Sequence, residues 1–316
     1  MMDIAVIGNL VVDILVSKVD SMPIQGTLAN VDSISLHSGG NAANVSIILS
    51  KLGVQSGVFG KIGNDQFGNY LLTQLKRSRV DTGNVQIAEE VPTSSTVVLS
   101  HSNGERTFLH TSGANSAFCA EEVDLKAMRA AKIVHYASSF VMPLLDGKPI
   151  TELLRLARAA GSITSLDTVW DASGRWLSLL EPVLSQVDYI LPSLVEAQQL
   201  FPHASTVKDL SARLLEYGAK AVVIKMGQDG CFAQEAGKQG KQYPAYPTVV
   251  RDTLGAGDSF ISGFLTGLLK GWNFDQSVNF GIATASCCVG ELGATSGVHN
   301  FDQVQQRAKQ KYEAEG

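Results

Sequence analysis

The sequence predicts an α/β fold: a three-layer sandwich with helices on both faces of a mainly parallel central sheet, and a small β lid above it. Three observations predict it. From about residue 120, short apolar runs alternate with helical stretches, the runs being Ile133–Ala137, Ile163–Asp167, Tyr189–Leu191 and Ala221–Lys225. Such alternation gives parallel strands joined by helical crossovers. Two earlier regions read differently, as paired strands with alternating apolar and polar residues. Finally, 45% hydrophobic against 17% charged residues supplies a core large enough for one domain spanning residues 1–316.

Taken in order, Ile4–Gly8 is a short buried strand. Ile14–Val19 and Val31–Leu36 are strands of the lid type, with a turn marked by Pro23 and Gly26. Asn41–Leu52 is a helix with Val45, Ile48, Leu49 and Leu52 on one face, ended by Gly53. Ser95–Ser100 and Arg106–His110 form a hairpin around Asn103-Gly104, a dipeptide suited to the tightest hairpin turns. The lid therefore comprises about residues 12–38 and 93–112. In the last third, Phe260, Ile261, Phe264, Leu265, Leu268 and Leu269 share a helix face, and Val278–Val289 is rich in small residues that permit close packing.

Bulk properties exclude several functions. A net charge of −5, with Lys and Arg scattered, gives no nucleic-acid or membrane-binding surface. Four cysteines without a CxxC pair read as buried small hydrophobes in a reducing compartment. No run reaches membrane-spanning length, and the chain opens directly on a strand, so a cytoplasmic location is expected. The turn Gly8-Asn9-Leu10-Val11-Val12-Asp13 lacks the glycine spacing of a dinucleotide fold, and no GxxxxGK[ST] run is present.

The chemistry is concentrated in Asp252-Thr253-Leu254-Gly255-Ala256-Gly257-Asp258, which precedes an apolar helix. Small residues at a helix start let several backbone N–H groups approach one anion, and the helix dipole adds positive charge. A carboxylate beside that nest can take a proton from an attacking hydroxyl, so the pair suits phosphoryl transfer. Asp258 as an ordinary helix cap is the competing reading.

Asp252–Asp258 resembles the second signature of the ribokinase-like (PfkB-type) carbohydrate kinases. Gly39-Gly40-Asn41-Ala42-Ala43-Asn44 resembles the first, and the likeness extends from Ile4 to about Val298. It implies a ribokinase-like fold that phosphorylates a hydroxymethyl group of a sugar or sugar acid from ATP with Mg²⁺. Asp258 would be the base, and Gly255, Ala256 and Gly257 the anion hole. Asp13, Gly40, Asn41 and Asn44 would hold the sugar, with Asn41 also capping its helix. Arg106 resembles a lid arginine that approaches the acceptor, a solvated hairpin arginine being the alternative. Ser193, Lys225, Gly227 and Gly230 would meet the nucleotide, with Ile282–Ser286 near adenine and Glu196 in the magnesium shell. Ser193 stands where the family has Asn, and Ser138 and Ser139 where ribokinases carry Glu. Asp252 with the Gly290–Ser296 loop would bind a monovalent cation, K⁺. The resemblance also implies a homodimer through the lid. A nucleoside kinase of the same fold and a non-catalytic sugar or nucleotide sensor are the alternatives.

Overall fold

The computed structural model describes residues 2–102 and 106–314; the Asn103-Gly104 turn and Glu105 lie outside the described residues. The strands are β1 (Ile4–Ile7), β2 (Val11–Ser17), β3 (Ser33–Gly39), β4 (Ser56–Gly63), β5 (Asp81–Ala88), β6 (Ser95–Ser100) and β7 (Arg106–Thr111). They continue with β8 (Ile133–Ser139), β9 (Ile163–Thr168), β10 (Tyr189–Ile190), β11 (Ala221–Lys225), β12 (Cys231–Glu235) and β13 (Lys241–Tyr243). The helices are α1 (Asn41–Lys51), α2 (Gln66–Arg77), α3 (Leu125–Arg129), α4 (Lys148–Ala159) and α5 (Trp176–Leu184). They are followed by α6 (Leu194–Leu200), α7 (Val207–Glu216), α8 (Ala256–Leu269), α9 (Phe274–Cys288) and α10 (Phe301–Ala314).

Nine strands form the main sheet in the order β13-β12-β11-β10-β9-β8-β1-β4-β5. All neighbours from β11 to β5 are parallel, and only β12 and β13 run antiparallel at one edge. The strand Ile4–Ile7 is buried throughout, as the centre of a sheet covered on both faces requires. Its residues alternate between two cores. Ile4 and Val6 join α1, α2, α8 and α9; Ala5 and Ile7 join α3 to α7. These are the predicted three layers.

The lid is a separate four-stranded sheet, β3-β2-β6-β7. Two antiparallel pairs are joined by parallel pairing of β2 with β6. Close packing of the last helices has a direct cause: Gly263 and Gly267 of α8 lie against Thr284 and Ser277 of α9, where a Cβ would collide. Sequence periodicity had not marked β4, β5, β12 and β13. Their residues are interrupted by glycine, asparagine and polar groups, which weakens the alternation that identifies a strand.

Candidate active site

The strands bring their carboxyl ends together beneath the lid, and a cleft of about 1560 Å³ opens there. Single small-ligand pockets run to about 1,000 Å³, so this space admits two substrates side by side. At its base lies the start of α8. Gly255 is the N-terminal cap with φ +75°, and a Cβ there would run into the backbone of Ala294. Gly255, Ala256 and Gly257 all line the cleft at the end of the helix where N–H groups lack intrahelical partners.

Asp258, three residues into α8, lines the same cleft while only 7% exposed. Both its oxygens are held: Asn41 Nδ2 donates to Oδ1 at 3.0 Å and Asn44 Nδ2 to Oδ2 at 2.8 Å. Burial raises its pKa; the Asn44 bond, the Lys225 charge and the Asn41 bond oppose this without cancelling it. A base of raised pKa is better matched to a proton acceptor working near neutrality.

These contacts correct one expectation. Asn41 does not cap α1; the cap is Gly40, at φ +86°, and Asn41 is the first helical residue. Its backbone N–H is met instead by Asn9 Oδ1 at 2.7 Å, and Ser138 Oγ donates to that same oxygen at 2.7 Å. Ser138 thus acts through Asn9, orienting the helix that aims both amides at Asp258.

Lys225, at the end of β11, places Nζ 2.7 Å from Asp167 Oδ1 and beside Gly257. Asp167 is buried at the end of β9, and burial pushes its pKa up to about 7. The Lys225 charge opposes that rise, and Glu196 and Asp258 add to it. Gly227 and Gly230 line the cleft next to Lys225. Ser193 and Glu196 line it too, but they form a capping box on α6: Ser193 N donates to Glu196 Oε2 at 2.8 Å, and Glu196 N to Ser193 Oγ at 3.3 Å. Thr168 Oγ1 also donates to Glu196 Oε2, at 2.8 Å. Ile282, Ala285 and Ser286 line the far end with Tyr246 and Thr248.

Asp13, Gly40, Asn41 and Asn44 line the end nearer the lid. Burial raises the Asp13 pKa to about 6; a Thr96 hydrogen bond opposes this and the Asp258 charge adds to it. Arg106 is placed elsewhere. Its Nη2 is 2.5 Å from Asp252 Oδ1, joining lid strand β7 to the segment before α8. Asp252 further accepts N–H bonds from Leu254 and Gly293, each at 2.9 Å. Burial would raise its pKa, but the Arg106 and backbone hydrogen bonds hold it below the usual carboxylate range. The guanidinium thus supplies a counter-charge to Asp252, which also meets the Gly290–Ser296 loop through Gly293 N.

Asn9, Thr96, Asn115, Asp167 and Thr168 were missed by motif reading. Asp167 and Thr168 were findable, because ligands of parallel sheets bind beyond strand ends and both residues close β9. Nothing local marks Asn115, which lines the cleft and is held there by the bonds it makes with Leu10: Leu10 N to its Oδ1 and its Nδ2 to Leu10 O, both 3.0 Å.

Residues 1–300 match the model of the pfkB family carbohydrate kinases. A fructoselysine 6-kinase of Escherichia coli is 30% identical over 258 residues, covering 81% of this chain and 91% of its own. A 5-dehydro-2-deoxygluconokinase of Clostridium perfringens is 23% identical over 325 residues, covering 99% and 95%. The structure of an Arabidopsis thaliana ribokinase complexed with ribose and ATP superposes with TM-score 0.87 at 25% identity, over 98% of this chain and 99% of that one. The family model spans nearly the whole chain and the fold is ribokinase-like, so the chain belongs to the pfkB family of carbohydrate kinases.

Proposed function

We propose that this kinase transfers the γ-phosphoryl of ATP to a hydroxymethyl group of a sugar-type acceptor, with Asp258 as general base and the Gly255–Gly257 backbone as anion hole. One observation carries the reading: the buried Asp258 carboxylate, fixed by two amides, lies within the same cleft as the α8 helix start. The acceptor hydroxyl sits between Asp13 and Asp258 and loses its proton to Asp258. Negative charge grows on the transferring phosphoryl, where the helix N-terminus and Lys225 oppose it. Asp13 accepts hydrogen bonds from neighbouring hydroxyls. The nucleotide lies along Lys225, Gly227 and Gly230, with adenine near Ile282 and Ser286. Intact Asp258 and its surroundings favour an enzyme over a binding sensor.

Magnesium fits this arrangement as a companion of the phosphates. Glu196, which lines the cleft, would stand in the shell of the ion. The ion would neutralise phosphate charge. K⁺ bound at Asp252 and the Gly290–Ser296 loop would share that carboxylate with Arg106.

The test is ADP release, with phosphate ester recovered, across ketoses, aldoses, sugar acids and nucleosides. The pH profile is a second expectation. Asp13, with a pKa of about 6, and Asp258, whose pKa is raised, both act ionised, so kcat/KM should fall as pH drops through 6, tenfold per unit where one of the two is protonated and steepening towards a hundredfold per unit where both are. A flat profile from pH 5 to 8 overturns their roles.

We also propose that two copies pair through their lids. Register places Ile34, Leu36 and Leu109 on the lid face opposite to Asp13 and Thr96, and these side chains are 67%, 44% and 56% exposed. Pairing would cover this patch. Light scattering at micromolar concentration should give twice the chain mass, and a monomeric mass refutes the pairing.

A further inference from the structure

We propose that the acceptor carries no acid group: the site selects a neutral or amine-bearing polyol and rejects sugar acids and sugar phosphates. This rests on the phosphoryl-transfer reading above and narrows it. Among the described residues, the charged side chains lining the cleft are Asp13, Asp167, Glu196, Lys225 and Asp258. Lys225 is the one permanent cation among them, and it is spent at the phosphoryl end, bonded to Asp167 and against Gly257. The acceptor end therefore holds carboxylates alone.

Neighbouring cations do not change this. Arg106 is turned onto Asp252 at 2.5 Å, and Arg175 is bonded to Asp171 at 3.2 Å and to the Phe140 carbonyl at 2.8 Å; neither lines the cleft. His37, opposite Asp13 in the lid register, is bonded through Nε2 to Ser35 Oγ at 2.8 Å and also lies outside the lining. His110 does line the cleft, but burial lowers its pKa and favours the neutral ring.

Backbone N–H groups are an alternative means of holding an anion, and three of them at this end of the cleft are already taken. Asn9 N donates to Ser138 Oγ at 3.0 Å, Leu10 N to Asn115 Oδ1 at 3.0 Å, and Asn41 N to Asn9 Oδ1 at 2.7 Å. The Asn41 and Asn44 amides point their donors at Asp258. What remains is the Asp13 carboxylate, an acceptor; Asn44 Oδ1, also without a hydrogen-bond partner, is closed off from solvent. Hydroxyl and ammonium groups donate to such a surface. A carboxylate or phosphate would lose its hydration, gain no counter-charge and face Asp13 across a low-dielectric pocket.

Matched six-carbon acceptors decide the matter: fructose, 1-amino-1-deoxyfructose, 2-keto-3-deoxygluconate and fructose 6-phosphate, each with Mg-ATP. The neutral and amino sugars should exceed the acid and the phosphate by about 100-fold or more in kcat/KM, since juxtaposed like charges cost several kcal/mol and each tenfold is about 1.4 kcal/mol. Asp13→Asn should narrow that ratio. An acid or phosphate used as well as the neutral sugar overturns the proposal and leaves the kinase reading standing. A calorimetric binding series with Asp258→Asn, which needs no turnover, separates the two. Neutral sugar bound in preference to the acid supports the charge selection; equal or tighter binding of the acid overturns it. Turnover of none of the compounds counts against the kinase reading instead.

Discussion

Asp258→Asn is expected to lower kcat by about 10²–10⁴-fold, the usual contribution of a positioned general base, while ATP and the acceptor still bind. The substitution keeps the side chain's shape and removes its basicity. Asn41 and Asn44 each donate to one oxygen of the present carboxylate, so one of these amides must reorient towards the new NH₂ group. Unfolding would mimic the result, and pH distinguishes the two. The folded-state pKa of Asp258 is raised by burial, so the ionised form costs stability once pH exceeds that value, and the cost disappears as the group protonates. Removing the charge should therefore leave the thermal midpoint at pH 8 unchanged or higher. Loss of activity with an unchanged or raised midpoint and retained nucleotide binding is the expected combination. A variant that keeps more than a tenth of wild-type turnover removes Asp258 from the role of base.

Gly255→Ala should cost about 10²–10³-fold in kcat, the scale seen when an oxyanion-type donor is lost. Gly255 sits at φ +75°, a region that costs a non-glycine residue about 1–3 kcal/mol, and its Cβ position is blocked by the Ala294 backbone. The backbone must move, and the N–H groups behind it move too. Gly257→Ala is the control in the same loop. Its φ is not positive, and a Cβ there would meet only Lys225 Nζ at 3.5 Å, an ordinary contact. Its effect should be at least tenfold smaller, read from single-turnover rates so that binding and transfer separate. Equal losses in the two variants would show that crowding near Lys225, not the geometry of the Gly255 turn, controls transfer.

The clearest elements in the sequence were those whose stability is local or periodic. The buried strands at 4, 133, 163 and 221, the α1 and α8 helices and the lid pairs all announced themselves through alternation, apolar runs and glycine punctuation. The Asp252–Asp258 run was legible because a phosphate nest needs small residues at a helix start, and that demand is satisfied by consecutive residues. Strands β12 and β13 were silent, being short and mixed in polarity, although Cys231, Ala233 and Tyr243 pack into the core.

By itself, the sequence determined the α/β class, the lid segments and the loop for which the phosphoryl chemistry is proposed. Only the tertiary structure decided what the charged and amide groups pair with. Asn41 and Asn44 meet Asp258 across more than 200 positions, Arg106 meets Asp252 across 146, and Lys225 meets Asp167 across 58. The reason is physical. Main-chain conformation responds mostly to neighbouring residues, whereas the partner of a buried charge is chosen by whichever strand ends and helix starts the sheet brings within about 3 Å.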